Sequence, residues 1–219
     1  MKKRINKIKI LRIIHTLDPA HGGPQNAIID NSLSLIKNGI SVDILTSDIR
    51  NYHFKKIKNL RIINKGPSLN DYGLNFRLFY WLLKNKKEYS FILIHGIWQF
   101  YTLAARILFK NKYFVFIHGQ LDPFFSLNLI KKIKKKLYWF LIERGNLISS
   151  KSLLLTSDLE KKLIAKTYVD TSELKKIVIN YGITKPNFDK KKVVEIFYKK
   201  FPKLKNKKFL LFLGRFHEK

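Results

Sequence analysis

Apolar residues recur along this chain in two rhythms. Short runs rich in β-branched and aromatic residues, bounded by Gly, Asn, Ser or Lys, read as strands buried on both faces. The first lies within Ile8–Pro24, and others follow at Ile40–Thr46, Leu60–Asn64, Phe91–His95, Tyr113–His118, Ser152–Thr156, Lys176–Asn180 and Lys208–Leu213. Between them, apolar positions fall at helical spacing. Gln25–Lys37 carries Ile29, Leu33 and Ile36, and Leu74–Lys84 carries Leu74, Leu78, Trp81 and Leu82. Trp98–Phe109, Phe124–Glu143 and Lys190–Phe201 read as further helices, and Ser157 with Glu160 forms an S-x-x-E capping box that opens another. Strands alternating with helices at this spacing predict an α/β fold, a Rossmann-like parallel sheet with helices on both faces.

In such sheets ligands bind beyond the carboxyl ends of the strands. The stretch Ile8–Pro24 reads as strand, glycine turn and helix start, with Gly22 and Gly23 in the turn and Pro24 suited to the first helical position. Glycine admits close approach of a ligand to the backbone, and a helix N-terminus offers free N–H groups to an anion. No full dinucleotide fingerprint accompanies the pair, so a plain strand-to-helix connection remains the equal alternative. Three more strand ends carry suggestive residues: His95-Gly96, His118-Gly119 and Asn180-Tyr181-Gly182. The two His-Gly pairs place a group that titrates near neutrality beside open space.

Composition adds charge to this picture. The 219 residues include 44 Lys+Arg against 15 Asp+Glu, a net charge of +29, so polyanions are the natural partners: nucleic acid, anionic lipid headgroups or phosphorylated ligands. At 46% hydrophobic the chain can build a core. There is no Cys and no HExxH, and the histidines are scattered, so no metal is expected. P-loop and G-x-S-x-G patterns are absent too. No stretch approaches the ~18 apolar residues of a membrane span. Lys7, Lys9 and Arg12 interrupt the apolar part of the basic N-terminus, which reads as a cytoplasmic start.

Phe124–Glu143 is the most unusual segment. Ile130, Ile133, Leu137, Phe140 and Leu141 share one helical face, with Lys131, Lys132, Lys134, Lys135 and Lys136 on the rest. Lysines next to Tyr138, Trp139 and Phe140 suit an anionic membrane interface. The alternative is that the apolar face packs on the sheet and the lysines are merely solvated.

Several of these segments, in order, resemble the N-terminal half of a GT-B glycosyltransferase of family 4, or group 1. They are the early GGP loop, FIHGQLDP, the strand ending in T-S before a capped helix, KIVINYGI and FLLFLGRFHEK. The resemblance implies transfer of a sugar from a nucleotide-sugar donor to a lipid-linked or polysaccharide acceptor in cell-envelope glycan synthesis. The nucleotide-sugar is then a substrate, and no cofactor is implied. Gly22 and Gly23 would face the donor diphosphate, His118 would lie near the transferred sugar as the candidate catalytic residue, and Arg215 would neutralise the departing phosphate. His95, Gly96, Trp98 and Asp122 are the acceptor-side candidates.

Two departures from the family pattern stand out. Tyr181 replaces the usual Asn before Gly182, and the family's second-domain glutamate pair is missing. The expected organisation is therefore an acceptor-side domain over 1–184, a linker and helix over 185–206, and the first strand of an incomplete donor-binding domain over 207–219, not fully active alone. The expected location is cytoplasmic, peripheral on the inner face of the membrane. The competing reading is a basic nucleic-acid-binding α/β module without catalysis; it predicts steep salt dependence, but no nucleic-acid motif accompanies the charge.

Overall fold

Lys9–Ile14 (β1) lies inside the sheet, between two neighbouring strands, because its residues are buried on both faces. In the computed structural model, which describes residues 8–18, 24–48, 57–126, 129–182 and 188–212, four of its six residues are buried. It is followed by the helix Pro24–Lys37 (α1) and the strands Ser41–Thr46 (β2) and Arg61–Asn64 (β3). Next come Phe76–Asn85 (α2), Phe91–His95 (β4), Phe100–Phe109 (α3) and Tyr113–Phe116 (β5). After Leu129–Tyr138 (α4) and Arg144–Ile148 (α5) the chain forms Ser152–Leu155 (β6), Asp158–Ile164 (α6) and Lys176–Val178 (β7). The strands make one sheet in the order β3-β2-β1-β4-β5-β6-β7, and every recorded pairing is parallel.

This order decides where the helices go. From β1 the chain moves outward to β2 and β3, then crosses back to β4 and proceeds through β5 and β6 to β7. Right-handed crossovers put α1 on one face and the helices after β3 on the other. The buried clusters agree. Leu11, Ile13, Ile92, Ile94, Val115 and Leu153 pack with residues of α2, α3, α5 and α6. On the α1 side, Ile14, Val42 and Ile44 pack with Ile28, and that cluster holds no residue of β4–β7. Over those strands the α1 side is instead an apolar cavity of about 410 Å3, lined by Leu93, Phe114, Phe116 and Ile179 among others.

The segment read as one helix over Phe124–Glu143 is not α-helical throughout. Asp122 Oδ1 accepts the Phe124 N–H at 2.9 Å, opening a single 3-10 turn at Pro123–Ser126 before α4. Trp139–Glu143 then forms a π-helical turn, which brings Trp139 and Glu143 to the buried side. The face predicted as a possible core face points the other way. Leu129, Ile130, Ile133, Leu137, Phe140 and Leu141 are each 60–78% exposed, while Tyr138 and Trp139 pack inward against Trp98.

The chain divides into two compact units, Met1–Ile183 and Thr184–Lys219. Within the second, Lys190–Lys200 (α7) is capped by Asp189, whose Oδ1 accepts from Lys191 N and Lys192 N. Residues 208–212, read as part of a strand, are irregular and exposed. A strand needs a neighbour for its ladder, and among the described residues none pairs with this segment.

Candidate functional site

The site begins where β4 and β5 end side by side. Their register pairs His95 with Phe116, and the next residues must leave the sheet in tight turns. Gly96 takes φ +103, and a Cβ there would come within 3.0 Å of the Tyr101 hydroxyl. Trp98 and His118 adopt left-handed backbone conformations, φ 65 and 48, which non-glycine residues take up only where surrounding contacts hold them.

These turns bring two imidazoles together. His95 Nδ1 lies 3.1 Å from His118 Nε2, so one proton is shared between the rings. Phe116 and Tyr181 extend the group into an aromatic stack. His95 lies over Phe116 with centroids 5.1 Å apart, and Tyr181 lies over Phe116 at 5.4 Å and over His118 at 5.9 Å. Tyr181, the departure from the family pattern, thus fills a place in the stack. Burial drives the His118 pKa down to about 4 against the opposing field of Glu160. Burial also holds His95 well below the usual histidine range, aided by the positive charges of Arg12 and of a protonated His118. Both rings are neutral at pH 7. His118 is therefore a hydrogen-bonding group at neutral pH rather than a cation.

Two buried carboxylates hold the turns. The S-x-x-E spacing makes Glu160 the return arm of a capping box with Ser157. Ser157 Oγ does accept the Glu160 N–H at 3.1 Å, but the carboxylate reaches elsewhere. It accepts from Thr156 N at 2.6 Å, from Thr156 Oγ1 at 2.9 Å and from Gly119 N at 2.6 Å, tying the loop after β5 to that after β6. Glu143 does the same for the loop after β4, accepting from Trp98 N at 3.3 Å and from Asn146 Nδ2 at 3.0 Å. Full burial raises its pKa to about 7 in spite of those hydrogen bonds.

The other expected residues fall in different places. His95 and Gly96 stand with His118 at the two strand ends. Trp98 turns its ring to the α4 side, where Lys135 Nζ sits 5.5 Å from it. Asp122 is buried and holds the turn that follows it. Gly22, Gly23 and Arg215 lie outside the described residues. Across the sheet, the ends of β1 and β2 and the loop after β3 enclose a polar cavity of about 530 Å3 lined by His15, Thr16, Asp18, Asp48 and Asp71. Thr16 Oγ1 donates to Asp48 Oδ1 and Leu17 N to Asp48 Oδ2. Sequence reasoning missed Glu143, Asp48 and Arg12. Each is a charged residue inside an apolar run or just past a strand end, which is a weak but real signal of a buried role.

No protein-family model and no curated protein matches the chain. Solved structures do. Sucrose-phosphate synthase from Thermosynechococcus elongatus superposes with a TM-score of 0.61 at 17% identity, over 81% of this chain and 49% of that one. Anabaena HepE, solved with UDP and glucose, gives 0.55 at 14% identity over 89% and 50%. WaaG, a glycosyltransferase involved in lipopolysaccharide biosynthesis, gives 0.50 at 13% over 88% and 51%. The chain spans about half the length of these structures. At such identities the likeness establishes the fold alone, and that fold is the Rossmann-like α/β half of the GT-B glycosyltransferase architecture.

Proposed function

We propose that this chain is the acceptor-side domain of a glycosyltransferase that moves a sugar from a nucleotide-sugar to a lipid-linked or polysaccharide acceptor in cell-envelope glycan synthesis. The observation that carries the reading is the paired His95 and His118 at adjacent carboxyl ends of a GT-B-like sheet. A neutral imidazole there can bind a sugar hydroxyl without placing a positive charge beside the developing oxocarbenium-like centre. The family resemblance assigns the donor diphosphate to Gly22 and Gly23 and the charge on the leaving group to Arg215. A preorganised cation is the physical requirement at that position.

The same reading puts the protein at a membrane surface. An outward stripe from Leu129 to Leu141, flanked by Lys132, Lys134 and Lys136, matches an interfacial helix: apolar residues to enter the headgroup region and lysines to meet anionic lipid. It would hold the domain against a lipid-linked acceptor.

The test is sugar transfer. The chain, supplied with a donor-binding half, is incubated with radiolabelled UDP- and GDP-sugars and with membrane glycolipids or polysaccharide. Label entering either acceptor fraction, and falling at least roughly a hundredfold in His118→Ala with unchanged circular dichroism, is the expected result. Transfer that ignores the substitution removes His118 from the chemistry, and absence of transfer to every acceptor overturns the reading.

A further inference from the structure

Arg12 of β1 carries a charge whose own partner the site above does not supply. Alternation along the strand sets it on the α1 side, opposite the faces of Leu11 and Ile13, and it is only 3% exposed. Its Nε and Nη1 are buried without a hydrogen-bond partner, and among the described residues no carboxylate pairs with it. Burial lowers its pKa to about 10, so it is still a cation at neutral pH. A buried, unpaired charge is strongly unfavourable, and its retention calls for a compensating anion.

The surroundings describe the rest of that ligand. Arg12 lines the cavity of about 410 Å3 on the side of the sheet that α1 leaves bare, together with Leu93, Phe114, Phe116, Leu154 and Tyr181. That volume is in the range of small-ligand sites, and an apolar lining with a few fixed polar groups is their usual composition. Tyr181 closes the same end with a phenol that burial keeps protonated and that lies 3.5 Å from His118 Nε2. The guanidinium offers the planar fork that suits carboxylate and phosphate oxygens.

We propose that Arg12 forms the floor of a binding site for a single-chain anionic amphiphile, a phosphate or carboxylate head on an apolar body lying along β4–β7. The site adjoins the His118 stack through Phe116 and Tyr181, but binding of the amphiphile does not require sugar transfer, so either reading can fail without the other. Isothermal titration with octyl phosphate, octanoate, octanol and inorganic phosphate separates the parts of the ligand. One of the two octyl anions is expected to bind with one-to-one stoichiometry, and which one does so distinguishes phosphate from carboxylate. Octanol should bind roughly ten- to a hundredfold more weakly, the usual range for losing a hydrogen bond to a buried charge. Inorganic phosphate alone should not register.

Arg12→Met should erase the preference for the anion while leaving the ligand-free protein at least as stable, and Arg12→Lys should restore part of it. A triple variant Ile133→Ser, Leu137→Ser, Phe140→Ser controls for binding at α4 and should keep the site. Equal anion binding by wild type and Arg12→Met, binding lost only in the α4 variant, or no saturable binding of either octyl anion overturns the proposal; the last result would leave the face to a covering polypeptide.

Discussion

Reversing Lys132, Lys134 and Lys136 to Glu is expected to lower partition of the protein onto anionic vesicles by roughly a hundredfold or more. Each lysine near an anionic surface contributes on the order of 1 kcal/mol, so removing three accounts for about two orders of magnitude before the added repulsion is counted. The side chains of Lys134 and Lys136 are exposed, and the variant should fold normally. Apolar insertion makes a separate contribution. Ile133, Leu137 and Phe140 are 60%, 61% and 78% exposed, and replacing all three by Ser should weaken binding to anionic and neutral vesicles alike. Co-sedimentation with phosphatidylglycerol and with phosphatidylcholine vesicles, at low and at physiological salt, separates the two contributions. If wild type and charge-reversed protein sediment equally, or if neither binds at low salt, α4 is not a membrane dock.

Acid should remove the stability that the two buried imidazoles contribute to the first unit before its carboxylates are all protonated. His118 has its pKa held at about 4 in the fold, against an ordinary value of 6.5. A histidine depressed in this way takes up its proton more readily when unfolded. Its contribution is therefore complete above pH 6.5 and is lost as pH falls through 4, and it amounts to on the order of 3 kcal/mol. His95, also lowered by burial, acts in the same direction. Glu143 opposes them. With its pKa raised from 4.5 to about 7, it favours the folded state below 4.5 and loses that advantage as pH rises through 7. Urea unfolding between pH 7.5 and 4.5 should therefore show the double variant His95→Phe, His118→Asn gaining stability toward acid relative to wild type. An unchanged slope in the double variant would mean the imidazoles are not buried as described.

How much of this could be read from the sequence varies by element. The strands at Phe91–His95 and Ser152–Leu155 were legible because a parallel sheet buries both faces and leaves an uninterrupted apolar run. The His-Gly pairs were legible as strand ends for the same reason. Their contact was not, because nothing in a linear pattern says that β4 and β5 are neighbours in the sheet. Phe124–Glu143 shows the opposite limit. Its period gave the apolar face correctly but not which way that face points. Tyr138 and Trp139 are larger and carry polar atoms that find partners inside: Tyr138 Oη meets Tyr72 Oη at 2.7 Å. Those aromatics took the inner side, and the aliphatic stripe was turned out. The sequence suggested a capping role for Glu160, and its backbone N–H does meet Ser157; its carboxylate found a longer-range donor in Gly119, which local spacing cannot reveal.

The central claim, that the carboxyl ends of β4 and β5 form the acceptor-binding surface of a sugar-transferring enzyme, is tested most directly by titrating the isotope-labelled chain with lipid-linked oligosaccharide in nanodiscs and with soluble polysaccharide fragments. Saturable amide and imidazole shifts concentrated at His95, Gly96, Gly119 and the His118 ring, absent with double-stranded DNA of equal charge, are the predicted result. Shifts produced by DNA and not by any glycan, or glycan shifts that leave His95 and His118 untouched, would contradict it.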